Sequence, residues 1–126
     1  MNEVSPEAIA YCKNLTFSFS NTLRDEKVNL QNYSSFTFII DIDGRVYQGA
    51  NADEQSATVC LIGGLNKFIH AKSITAYSNF YITEQQKVTL YKAIRELARY
   101  TDTASISSNN DKLEQSISAL YNNYCG

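Results

Sequence analysis

The amino-acid sequence predicts an α/β fold: a mixed β-sheet flanked by helices. Three observations carry this. Phe36–Asp41 and Arg45–Gln48 are short apolar-rich segments joined through Asp43-Gly44, where glycine accepts the positive φ of a tight hairpin turn. Thr58–Ile62 is a nearly continuous apolar run, the pattern of a central strand covered on both faces. Thr83-Glu84-Gln85-Gln86 has the spacing of a capping box, and Leu90, Tyr91, Ile94, Leu97 and Ala98 follow it as a helical stripe. The three strands are expected to be neighbours, with the helix from Glu84 to about Tyr100 packed on them.

The remaining elements follow in chain order. Ser5-Pro6-Glu7 starts a short helix reaching about Lys13, with a capping serine, proline in the first turn and an acid at the positive end of the dipole. From Leu15 to Ser20, Leu15, Phe17 and Phe19 alternate with Thr16, Ser18 and Ser20, which predicts a half-buried strand. Asn21–Ser35 is polar and weakly periodic, a connection with room for one helical turn. Ala50–Gln55 is a short polar loop. Leu65–Tyr81, aromatic and polar by turns, fits either an extended excursion or a further hairpin. Ala104–Ser107 can form a short strand. A last helix from about Asp111 sets Leu113, Ile117, Leu120, Tyr121 and Tyr124 on one face.

Length and composition bound the function. At 126 residues the chain is expected to form one domain with a real core and no need of metal or disulfide support. A net charge of −2 gives no basic footprint for nucleic acid. No apolar run approaches the roughly 20 residues of a membrane span. Met1–Pro6 lacks the features of a secretory signal, so a cytoplasmic location is expected. Three widely spaced cysteines, Cys12, Cys60 and Cys125, make no CxxC pair and fit reduced thiols better than a disulfide framework. Cys60, in the most apolar strand, is expected to be a small core residue.

Phe36–Gly49, then Ser56–Gly64 ending in Gly63-Gly64, then the capped helix, stand in an order that resembles the zinc-dependent N-acetylmuramoyl-L-alanine amidases of the phage lysozyme type. The resemblance covers roughly Phe36–Thr101, about half the chain, and its motifs are moderately specific. It implies a reduced amidase-like three-layer sandwich. In that family zinc polarises the scissile carbonyl and lowers the pKa of a bound water. Its ligands are two histidines and a cysteine or acid. The first histidine stands at the end of the first strand, the second near the strand after the long helix, and the third ligand several residues later. Here the first strand reads Phe17-Ser18-Phe19-Ser20-Asn21, and the region after the helix reads Ala104-Ser105-Ile106-Ser107-Ser108-Asn109-Asn110. Asp111 is the one carboxylate nearby. The assisting tyrosine of the second strand falls on Phe36, which has the ring without the hydroxyl. Ala50–Gln55 is shorter than the family's cleft-bordering segment. The resemblance therefore implies a scaffold without the chemistry: no catalytic residue, no bound metal and no cofactor.

Other constellations are weaker. His70 is the only histidine, and a zinc site combining it with Cys60 and Cys125 has no supporting ligand spacing. A polar loop residue is the plainer reading. Asp41-Ile42-Asp43-Gly44 lacks the remaining ligands of a calcium loop and reads as a turn. No serine stands in a nucleophile elbow with a recognisable base.

With nine Tyr and six Phe, the chain is rich in aromatics suited to binding. The segment Phe68–Tyr81 carries apolar anchors and little charge, and Phe68, Tyr77, Phe80 and Tyr81 are the candidate protein interface. The plainer alternative is an extra hairpin packed on the sheet. The expected function is a catalytically inactive amidase-like protein, encoded by a phage or prophage, that binds and modulates another protein. Its partner is a protein of unspecified identity, with no nucleic acid and no membrane; self-association is a further option. The alternative is a peptidoglycan-fragment binder or a cryptic amidase.

Overall fold

A computed structural model describes residues 1–20, 29–50, 55–65 and 80–125. In chain order, strand β1 is Glu3–Val4, and a 3-10 helix follows at Pro6–Tyr11. Strand β2 is Asn14–Phe19, and a second 3-10 helix covers Leu30–Tyr33. Strands β3 (Phe38–Ile40), β4 (Val46–Gln48), β5 (Ser56–Leu61), β6 (Gly64–Leu65) and β7 (Phe80–Tyr81) come next. Helix α1 is Glu84–Tyr100, strand β8 is Ser105–Ser108, and helix α2 is Asp111–Cys125.

Six strands form the main sheet in the order β1-β4-β3-β5-β2-β8, and β6 and β7 make a separate antiparallel pair. β3, β5, β2 and β8 run parallel; β4 is antiparallel to β3 and to β1. The expected adjacency of the three sequence-predicted strands is therefore present, with β5 between β3 and β2. A mixed sheet flanked by helices is the fold class read from the sequence.

The alternation of β2 does what its pattern predicts. Leu15, Phe17 and Phe19 are buried against Leu90, Ala93, Ile94 and Leu97 of α1 and Leu113, Ile117 and Tyr121 of α2. Burying each such Leu, Ile or Phe side chain stabilises the fold by roughly 1.5–3 kcal/mol. The opposite face holds a smaller cluster of Tyr33, Ile39, Cys60 and Ile62, with Leu30, Phe36 and Ile42 packed on it. β5 supplies both clusters, Val59 and Leu61 to one and Cys60 to the other, which is why its sequence lacks alternation.

Several boundaries differ from expectation. The first helix is 3-10 and ends at Tyr11, because Cys12 is already extended (φ −104°, ψ 118°) and its amide closes an i→i+3 bond to Ile9 O at 3.3 Å. Ser5 makes no side-chain cap there. β3 starts at Phe38 because the Phe36 amide still closes the preceding turn onto Tyr33 O, at 3.0 Å. The predicted α1 stripe is correct for Leu90, Ile94 and Leu97, but Tyr91 is 48% exposed. On α2, Tyr124 is likewise 42% exposed. Most of the predicted Ala50–Gln55 loop and of the Leu65–Tyr81 segment lies outside the described residues.

Candidate functional site

Parallel strands place all their carboxyl ends on one edge of a sheet, and in open α/β sheets that edge is where ligands bind. Here it gathers Ser20 after β2, Asp41 and Ile42 after β3, Ile62 and Gly63 after β5, and Ser108 at the end of β8. The N-terminus of α1 is fastened to the same edge. Its capping box is complete: Gln86 N donates to Thr83 Oγ1 and Thr83 N to Gln86 Oε1, each at 3.1 Å. Thr83 Oγ1 also donates to Ile42 O at 2.6 Å. Gln86 is fully buried, and its Nε2 donates to Ile62 O at 2.9 Å and to Ile40 O at 3.2 Å. One side chain thus joins the helix start to the ends of β3 and β5 and fills the gap between them.

Ser20 is buried, and its hydroxyl accepts from the Gly63 amide at 3.3 Å. The ends of β2 and β8 are neighbours, with Phe17 opposite Ser108. The two regions mapped from the amidase resemblance are therefore brought together. In the second of these regions Ser108 and Asn110 are engaged in local capping. Ser108 Oγ accepts from Asn110 N, and Asn110 Oδ1 accepts from Leu113 N as the cap of α2, both at 3.0 Å. Zinc needs imidazole, thiolate or carboxylate donors. Neutral hydroxyls and an amide already holding backbone amides do not fit it. Among the described residues no three of His, Cys, Asp and Glu gather as a metal site. Phe36, at the assisting-tyrosine position, packs on the second apolar cluster.

The cysteines lie apart. Cys60 is fully buried in the second cluster, and burial pushes its thiol up to about 12. Cys125 is exposed near Thr101 at the opposite edge of the sheet, its Sγ 4.0 Å from Thr101 O. The paper combination with His70 thus has two members that do not meet, and His70 lies outside the described residues. Asp41–Gly44 is a turn: Gly44 N bonds Asp41 O at 2.9 Å and Gly44 has φ +86°.

Of the predicted interface, Phe68 and Tyr77 lie outside the described residues. Phe80 and Tyr81 form β7, whose backbone pairs Tyr81 with Gly64 and Phe80 with Leu65. The sequence reading missed an exposed polar strip on the sheet face away from α1. Asn14 and Thr16 of β2 and Ser105 and Ser107 of β8 are all exposed, and Thr16 Oγ1 and Ser107 Oγ are 3.1 Å apart. The alternation that predicted β2 already carried that strip on its polar phase. Between α1 and α2 a groove of about 310 Å³ is lined by Leu90, Tyr91, Ile117 and Leu120. At the other edge, Tyr11 and Tyr100 stack with ring centroids 5.7 Å apart. Tyr100's phenol is held above its ordinary value chiefly by Tyr11.

The sheet order, the parallel core and the capped helix define an amidase-like fold. It is similar to two solved structures from Clostridium intestinale URNW. One is the endolysin N-acetylmuramoyl-L-alanine amidase LysCS, with a TM-score of 0.51 and 14% identity over 88% of this chain and 75% of that one. The other is the N-acetylmuramoyl-L-alanine amidase LysC, with a TM-score of 0.52 and 14% identity over 88% of this chain and 79% of that one. At this identity the likeness shows the fold. No protein-family model and no curated protein matches the chain. Among the described residues no helix is long and apolar enough to cross a membrane.

Proposed function

We propose that this chain uses an amidase-like scaffold to bind rather than to cut, as a phage- or prophage-encoded protein that modulates a protein partner in the host cytoplasm. The observation that supports this most is the chemistry at the ends of β2 and β8. Where the resemblance calls for zinc ligands, Ser20, Ser108 and Asn110 stand instead, each holding a backbone amide. Phe68, Tyr77, Phe80 and Tyr81 are the proposed contact residues.

A second reading, a binder of peptidoglycan fragments or a cryptic amidase, draws support from the exposed strip of Asn14, Thr16, Ser105 and Ser107, whose side chains suit a polyhydroxylated ligand. One set of measurements separates the two. The purified protein is assayed for zinc, for release of stem peptide from peptidoglycan, and for muropeptide binding by calorimetry. The first reading expects all three to be negative. Stoichiometric zinc or released peptide overturns the absence of catalysis, and muropeptide binding alone selects the second reading. Restoring a single histidine at Ser20 is expected to leave activity absent, since the other donors would still be lacking.

A further inference from the structure

We infer that α2 guards the open edge of the main sheet, and that the partner it keeps away is the β8 strand of a second copy. Among the described residues β8 is the terminal strand of the sheet, and an unpaired edge is a template for another strand. The usual deterrents are charge, proline or a bulge in the strand itself. The stretch Ala104–Asn110 contains no charged residue and no proline.

The direction of the backbone groups follows from one bond. Ser105 N donates to Lys13 O at 2.8 Å, so Ser105 and Ser107 face β2. Ala104, Ile106 and Ser108 then present their amides and carbonyls outward. Two of those three amides are occupied from α2. Glu114 Oε1 accepts from Ser108 N at 2.9 Å, and the Tyr121 hydroxyl accepts from Ala104 N at 3.1 Å. Tyr121 is buried and its hydroxyl also donates to Thr101 O at 2.6 Å, so the guard is fixed in place. Burial is also the main cause that raises its phenol above the ordinary value.

An antiparallel β8–β8 pair centred on Ile106 would be self-complementary, because an uncharged strand meets its own copy without repulsion. Ile106 would exchange its two bonds with its counterpart, and Ser108 and Ala104 would pair crosswise. With both outer amides occupied, only the Ile106 exchange remains, too little to hold two molecules. Removing Glu114 releases the Ser108 amide in each copy toward the Ala104 carbonyl of the other.

The test is sedimentation velocity on the full chain over a wide concentration range. Glu114→Ala is expected to tighten self-association at least about tenfold relative to the parent, from the hydrogen bonds it releases. Glu114→Gln keeps an accepting oxygen and is expected to behave as the parent. Glu114→Ala combined with Ile106→Pro removes the central outward amide at a position where an edge strand tolerates proline, and is expected to return the parent's behaviour. Circular dichroism checks that each variant folds, and Glu114→Ser repeats the test should the alanine variant unfold. The inference is overturned if the alanine variant associates no more than the parent. It is equally overturned if the dimer survives Ile106→Pro, or if the parent already pairs through β8.

Discussion

Gln86 is a buried polar residue on which the fold depends. Its amide makes three hydrogen bonds in a fully buried setting: it donates to Ile40 O and Ile62 O and accepts from Thr83 N. Gln86→Met keeps the volume and removes all three. At about 1 kcal/mol net per bond, with more where a buried carbonyl is left alone, the loss is about 3–5 kcal/mol. For a domain of this size that lowers Tm by roughly 10–15 °C. Gln86→Glu adds a charge at the same site. A carboxylate there would face two carbonyl oxygens, so the folded protein would raise its pKa above the unfolded value of about 4.3. An acid with a raised folded pKa binds more protons in the native state. Relative to the parent, the variant is therefore least destabilised below about pH 4, and its deficit grows by up to roughly 1.4 kcal/mol per unit as pH rises toward the folded pKa. Urea unfolding followed by far-UV circular dichroism, at pH 4 and pH 7, measures both effects. Losses under about 1 kcal/mol for both variants, or a Gln86→Glu penalty that shrinks as pH rises, would refute the assigned role.

Four further outcomes are expected. A Cβ on Gly49 would sit 1.8 Å from Phe36 O, and one on Gly44 would be 2.6 Å from Gln85 O at φ +86°. Both alanine variants should lose more than about 2 kcal/mol in thermal unfolding, Gly49→Ala the more, since backbone rather than a flexible side chain must give way. In the native protein a thiol reagent should label Cys125 rapidly and Cys60 only on unfolding; labelling at equal rates would contradict the burial. The same thiol, with its folded value pushed up to about 12, makes stability decline as pH rises above the ordinary thiol range, where only the unfolded chain ionises. Tyr77→Ala should weaken partner binding by roughly 2–4 kcal/mol with the melting temperature nearly unchanged. Collapse of the fold would make Tyr77 a core residue, and no effect on binding or stability would make it a bystander.

Local chemistry was legible in the sequence, and long-range chemistry was not. α1 is found at Glu84–Tyr100 because its start is written within four residues, by Thr83 and Gln86. The Asp43-Gly44 turn and the unbroken apolar run of β5 are similarly self-contained. The same capping box, however, says nothing of Gln86 reaching Ile40 and Ile62, since those carbonyls come from strands 46 and 24 residues away. Tyr91 fits the helical period but falls beside the stripe that meets the sheet, at the rim of the groove facing α2. The Ala104–Ser107 strand is weakly marked because an edge strand over a half-covered face needs few apolar residues. The positions mapped for zinc were legible as residues without ligands. That Ser108 and Asn110 serve the start of α2, and Ser20 the Gly63 amide, depends on how β2, β5, β8 and α2 come together. The interface residues Phe68 and Tyr77 lie beyond what the structure describes, and they stand on composition.

The parallel pairing of β2 also sets an order of assembly. Its partner on one side, β5, is 42 residues away in the chain, measured at Asn14 and Ser56; its partner on the other, β8, is 91 residues away, measured at Thr16 and Ser107. Loop closure costs about 0.6 kcal/mol more per doubling of length, so entropy alone favours β5 arriving first by only a small margin. Sequence-local structure is expected to widen that margin, because docking of α1 brings its C-terminal end, and with it β8, alongside β2. Non-local parallel contacts of this kind slow folding into the millisecond-to-second range typical of high contact order. In pulse-labelled hydrogen exchange during refolding, the amides of β5 should become protected before those of β8. For that interval β2 is a strand with one side bare, and the chain is then most prone to stick to others of its kind.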